Sequence, residues 1–166
     1  MEELFKSAAS GNVEALAQLA PRRGSTASSP ASSGGSKAFL KKATDSVSNL
    51  MKGSVDINSV NENGYTVLHV AALNGHDSYI TLCIELGADA QAKDSAGNSA
   101  LHLAAWGDHA DACKTLLDKG LHVNELNNEG ATPLHFATQV GKSGAVTRVL
   151  LQQGANPQIR NKSNET

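Results

Sequence analysis

A 33-residue period runs from Asn61 to Arg160 and restricts what the chain can fold into. Gly64, Gly97 and Gly130 stand 33 residues apart, and so do His69, His102 and His135. The copies read Gly64-Tyr65-Thr66-Val67-Leu68-His69-Val70-Ala71-Ala72, Gly97-Asn98-Ser99-Ala100-Leu101-His102-Leu103-Ala104-Ala105 and Gly130-Ala131-Thr132-Pro133-Leu134-His135-Phe136-Ala137-Thr138. Each copy closes with a glycine, at 87, 120 and 154. The last interval is 34, so the third copy holds one extra residue between Gly141 and Leu150. A unit of this length cannot bury its own apolar face, so a fixed period of this kind signals copies stacked in an array.

Residue chemistry fills in each unit. Thr66, Ser99 and Thr132 stand where a hydroxyl caps the orphan amides of a helix start. Pro133 suits the first helical position, where its missing N–H costs nothing. Leu68, Ala71 and Ala72 form an i, i+3, i+4 apolar stripe on a short helix, and the alanines let a second helix come close. Gly75 and Gly141 supply the turn, with Gly107-Asp108 at that place in the middle copy. Ile80, Cys83 and Ile84 make a second stripe, matched by Cys113, Leu116 and Leu117. The glycines at 87, 120 and 154 suit left-handed C-terminal caps. Polar runs such as Lys93-Asp94-Ser95-Ala96-Gly97 then form an exposed hairpin before the next helix.

Upstream, the pattern is worn. Aligning Gly11 with Gly75 places Leu4 under Leu68, Ala8 under Ala72, and Leu16 and Leu19 under Ile80 and Cys83. Residues 1–20 therefore form a terminal capping unit without the histidine-bearing hairpin. Residues 21–36, rich in serine and glycine, offer almost no apolar surface and predict a flexible insertion. Residues 37–52 place Phe39, Leu40, Ala43, Val47, Leu50 and Met51 at helical spacing, with Lys52 and Gly53 at the C-terminal end. Six basic residues against Asp45 alone give 21–52 a charge of +5, leaving −7 for the rest of a chain whose formal net charge is −2. Three readings of this basic helix stay open: it packs back on its acidic repeats, meets anionic lipid or a partner, or stays disordered. The division is thus 1–20, the insertion 21–52, the end of the first repeat at 53–60, full repeats at 61–93, 94–126 and 127–160, and the start of a further repeat at 161–166. Asn161-Lys162-Ser163-Asn164-Glu165-Thr166 lines up with Asn127 to Thr132, which predicts a piece of a longer polypeptide.

Thr132-Pro133-Leu134-His135-Phe136-Ala137, with Gly154-Ala155-Asn156 downstream, is similar to the ankyrin-repeat pattern. The resemblance covers about 120 residues and recurs, so it is far more specific than a lone motif. It implies an all-α fold: an ankyrin-repeat solenoid of stacked antiparallel helix pairs with projecting β-hairpin loops. Departures are Val67 and Ala100 in place of proline, and Asn61 and Asn127 where aspartate is common. More narrowly, Gly64-Tyr65-Thr66, Ala71-Ala72-Leu73-Asn74-Gly75-His76 and Ala104-Ala105-Trp106 resemble the N-terminal ankyrin blocks of SAM-domain-containing scaffold proteins, as does the Ser/Gly-rich insertion.

Nothing in the sequence points to catalysis. A ladder of histidines stepping by about 10 Å, the spacing of packed helices, cannot converge within about 2.1 Å of one zinc ion. The resemblance implies instead a hydrogen-bonding role for these histidines at the hairpin base. His76 and His109 form a second repeated column. Cys83 and Cys113 fall on core-facing stripes and read as inert buried thiols in a reducing, cytoplasmic compartment. No nucleophile–base pair, phosphate loop or paired-carboxylate motif is present, so neither enzyme, cofactor nor metal is expected. The modest net charge gives no push toward nucleic acid, and no apolar run approaches the roughly 18 residues of a membrane span.

Recognition of another protein or peptide remains, by a fragment expected to be monomeric. In ankyrin proteins the hairpin tips and exposed first-helix residues line a concave face. Carried across, these are Glu62, Asn63, Tyr65, Leu73 and Asn74; Ser95, Ala96, Asn98, Trp106 and Gly107; and Asn128, Glu129, Ala131, Gln139 and Val140. Trp106, the one tryptophan, is either the anchor of a partner groove or packed against a neighbouring repeat. Arg22-Arg23-Gly24-Ser25 resembles a basophilic kinase site, with phosphate at Ser25 offsetting part of the +5. Asn124 resembles the asparagine hydroxylated in other ankyrin repeats. The favoured reading is an interaction module of a scaffold or adaptor. The alternatives are a regulatory or targeting arm of a larger enzyme, or membrane-surface attachment through the basic insertion.

Overall fold

The computed structural model describes residues 2–18, 56–141 and 144–166, with the backbone alone at 16–18. The insertion 21–52, the helix expected at 37–52, Ser25 and the Leu16 and Leu19 side chains lie outside the described residues. Eight helices follow one another among the described residues: α1 Glu2–Ser10, α2 Val13–Gln18, α3 Val67–Leu73, α4 Asp77–Glu85, α5 Ala100–Trp106, α6 Ala110–Asp118, α7 Pro133–Val140 and α8 Ala145–Gln152. At six to nine residues each, they are too short to hold in water alone, so their stability comes from packing. α1, α3, α5 and α7 contact one another in sequence to form one layer. α2, α4, α6 and α8 form the second, and each odd helix touches the even helix that follows it.

The stripes read from the sequence are the core. Leu68, Leu101, Ile80, Cys83, Cys113, Leu116 and Leu150 are fully buried. Truncating one of these leucines to alanine costs about 2–5 kcal/mol. Ala71, Ala72, Ala104 and Ala105 are completely buried, and their small side chains let α3, α5 and α7 approach closely. Leu4 and Ala8 are buried alongside Leu68 and Ala72, so α1 packs on α3 although 56 residues separate them in the chain.

α4, α6 and α8 end alike. Ala88 N–H donates to Cys83 O at 2.9 Å and Gly87 N–H to Ile84 O at 3.0 Å; Leu121 with Gly120 and Ala155 with Gly154 repeat the pair. This is the Schellman closure, with a left-handed glycine after the cap and an apolar contact beneath it. At the opposite turn Asp108 takes φ +61°, in the column of Gly75 and Gly141. Aspartate tolerates the left-handed region better than most residues.

Where projecting β-hairpins are expected the chain forms side-chain-braced turns, and the described residues hold no β-strand. Asn61 N–H donates to Tyr65 O, Asp94 to Asn98, Asn127 to Ala131 and Asn161 to Glu165, all at 2.9–3.0 Å. Inside the turn the first residue's Oδ1 accepts further amides: those of Asn63 and Tyr65 at Asn61, Ala96 and Asn98 at Asp94, and Glu129 and Ala131 at Asn127. These amides are therefore not available to a strand ladder. Asparagine offers the same oxygen as aspartate, which is why Asn61 and Asn127 serve where the family pattern has the acid.

Candidate partner-binding face

The turns and the first-layer helices are fixed to one another by histidine. The His69 ring accepts the Thr66 amide at Nδ1 (3.1 Å), so its proton sits on Nε2, which donates to Asn98 O (3.1 Å) in the next turn. His102 does the same between Ser99 and Ala131 O, and His135 between Thr132 and Glu165 O. Burial pushes His69 below the ordinary histidine range and His102 down to about 4, because the interior penalises the charged ring. Both rings are neutral struts. The second column behaves likewise: His76 Nε2 donates to Ala9 O (3.0 Å) and His109 Nε2 to Leu73 O (3.1 Å), each reaching back one unit. Among the described residues no group of three or more His, Cys, Asp or Glu side chains is placed to hold a metal ion. Cys83 and Cys113 are buried thiols, both pushed up to about 12 by desolvation, so neither is a nucleophile near neutral pH.

Registered in this way, the candidate residues form rows. Leu73, Trp106 and Gln139 occupy one row across α3, α5 and α7; Asn74, Gly107 and Val140 occupy the next. The turn residues Glu62 and Asn63, Ser95 and Ala96, and Asn128 and Glu129 are exposed along the same edge. Tyr65, Leu73 and Val140 are half-buried, with the Tyr65 ring 6.1 Å from His69.

Several candidates are already engaged within the fold. Asn98 is a correction: it is 8% exposed, its amide donates to Asp94 Oδ2 (3.0 Å), and its Oδ1 accepts from Asn127 Nδ2 (2.8 Å). It ties neighbouring turns together and is not offered to a partner. Ala131 is also buried. Ser95 Oγ donates to Asn63 O (2.8 Å), Asn128 Nδ2 to Ser95 O (3.3 Å) and Asn74 Nδ2 to Val70 O (2.8 Å), so these side chains stiffen the edge they occupy. Asn124 is half-buried and bridges to the next unit, donating to Gly154 O (3.2 Å) and accepting from Asn156 N–H (2.8 Å).

Trp106 combines both sequence readings. It is 46% exposed, yet its ring meets Phe136 of the next helix edge-on at 6.0 Å, and Phe136 meets His102 edge-on at 5.4 Å. Phe136 was missed as a site residue. The signal was there: it is the one aromatic in the column of Val70 and Leu103. Beyond Phe136 the face opens into a cleft of about 390 Å³ whose walls include Glu129, Phe136 and Gln139.

Compared with known proteins, the chain matches the family model for ankyrin repeats in three copies, over residues 36–127 and again over 87–161. No curated protein matches it.

Proposed function

The chain belongs to the ankyrin-repeat family, whose repeats are typically non-catalytic and mediate protein–protein interaction, and from that premise we propose that it is the interaction module of a cytoplasmic scaffold or adaptor. The partner, a protein or peptide segment, lies along the concave face of the solenoid, over the turn edge and the Leu73–Trp106–Gln139 row. One observation carries the reading: Trp106 presents nearly half its surface to solvent while Phe136 holds its ring from behind. A large aromatic fixed before binding loses little entropy on contact, which is how interface anchors act. The cleft past Phe136, bordered by Glu129 and Gln139, extends that surface.

Affinity capture with wild-type chain and Trp106→Ala in parallel tests this. A polypeptide retained by the first and lost from the second supports it, and identical partner sets end it. The resemblance to SAM-domain scaffolds favours the scaffold reading over an enzyme's targeting arm. No described helix is long and apolar enough to cross a membrane. Hydroxylation at Asn124 and phosphorylation at Ser25 belong to the same proposal, and intact mass of protein from animal cells reads both, as one added oxygen or one added phosphate.

A further inference from the structure

Among the described residues the first turn has a neighbouring turn on one side only. Each later turn bonds back to the one before it: Ser95 Oγ–H donates to Asn63 O at 2.8 Å, Asn128 N–H to Ala96 O at 3.0 Å and Lys162 N–H to Glu129 O at 2.9 Å. Glu62 stands at that register in the first turn, exposed, with no turn before it among the described residues. Beside it lies an open groove of about 470 Å³ lined by Glu2 and Phe5 of α1 and by Val60, Asn61, Glu62 and Asn63. Its apolar part is half-buried Phe5 and Val60, the latter 56% exposed. Its charged side chains are the Glu62 carboxylate and that of Glu2, which also pairs with Lys6 at 3.1 Å.

We propose that this groove receives the chain's own basic segment, residues 37–52. The match is chemical on two counts. The segment carries Lys37, Lys41, Lys42 and Lys52 against Asp45 alone, facing Glu2 and Glu62. Its apolar residues Phe39, Leu40, Val47, Leu50 and Met51 suit Phe5 and Val60, which water otherwise covers. Connectivity adds a third argument. The described chain resumes at Asp56, four residues before Val60, so the segment is tethered at the groove with an effective concentration on the order of millimolar. Docking takes the apolar surface of Phe5 and Val60 out of water at the end of the stack, as contacts between neighbouring units do elsewhere in a repeat array. This occupant is independent of the Trp106 row, so either proposal stands if the other fails.

Zero-length carbodiimide coupling of the intact chain, read by mass spectrometry, tests it together with amide exchange. Lysines of 37–52 are expected to couple to Glu2 or Glu62. Exchange over residues 60–63 is expected to be at least ten-fold slower than in the doubly substituted chain Phe39→Asp/Leu50→Asp, which also loses the cross-links. Coupling instead to Asp77, Asp111 or Asp118 overturns the proposal. So do links between isotopically distinct copies, which give the groove to a second molecule. So does salt-sensitive binding to phosphatidylserine vesicles with no internal link, which gives the segment to a membrane. Should the double variant unfold, the wild-type linkage pattern decides alone.

Discussion

The hydroxyls of Ser7 and Tyr79 lie 2.7 Å apart, both buried, and join α1 to α4 across 72 positions of sequence. Ser7 gives its own hydrogen to Leu4 O at 2.8 Å, so Tyr79 is the donor and Ser7 the acceptor. Tyr79 has no exposed surface, and burial raises its pKa, so the phenol stays protonated and able to donate.

Removing either partner has a different cost. Tyr79→Phe deletes the donor and leaves Ser7 still bonded to Leu4 O, for a loss of about 1 kcal/mol. Ser7→Ala strands the buried phenol and costs about 1–3 kcal/mol. The double substitution falls below the sum of the two, because the stranded group is gone. Urea unfolding of the four proteins measures this, and strict additivity would deny the bond.

Acid weakens the fold through His102. The unfolded ring takes up a proton near the ordinary value of about 6.5, whereas the folded ring does so only at about 4. Between those values the unfolded state binds the extra proton, so stability is full above the unfolded pKa and falls as pH drops toward the folded one. The loss at the bottom of that window is about 3 kcal/mol for this residue, and His69 shifts in the same direction. Unfolding midpoints from pH 7 to pH 4 read the slope, and an NMR titration is expected to show His102 neutral at pH 5.

Two left-handed glycines separate backbone strain from contact. Gly87 has φ +92° and open space where a Cβ would go, so Gly87→Ala costs about 1–2 kcal/mol from backbone strain alone. At Gly75, φ +73°, the added carbon would collide with the His109 ring and disturb its bond to Leu73 O. Gly75→Ala is therefore the worse of the two, by at least about 1 kcal/mol for the lost hydrogen bond. Equal thermal shifts would show that the histidine strut carries nothing.

Trp106→Ala is expected to separate binding from stability. The edge contact with Phe136 is worth about 1 kcal/mol, a small shift in melting. Affinity for the captured partner drops at least ten-fold, on the order of an anchor residue. A melting loss of several kcal/mol with unchanged affinity would make Trp106 a packing residue only.

Much of this was legible along the chain, for a local reason. Thr66 and Thr132 accept the amide of the histidine three residues on, as capping residues do, and that depends only on backbone direction. The stripe Leu68, Ala71, Ala72 follows from 3.6 residues per turn, and the closures at Gly87, Gly120 and Gly154 follow from a φ that glycine takes without cost. Less legible was the polar segment between helices. A hairpin and an aspartate- or asparagine-braced turn share a composition, and Oδ1 at Asn61, Asp94 and Asn127 decides between them.

The sequence by itself determined the repeating unit, its helix ends and its buried faces, since each is set by the period and dihedral preferences of a few consecutive residues. Only the tertiary structure decided that Asn98 is spent between turns, that Phe136 props Trp106 from the following helix, and that Ser7 accepts a hydrogen bond from Tyr79. Those pairs lie about 30 or more positions apart. Their distances depend on how closely alanine-faced helices stack, a property of the assembled layers that no local stretch of chain contains.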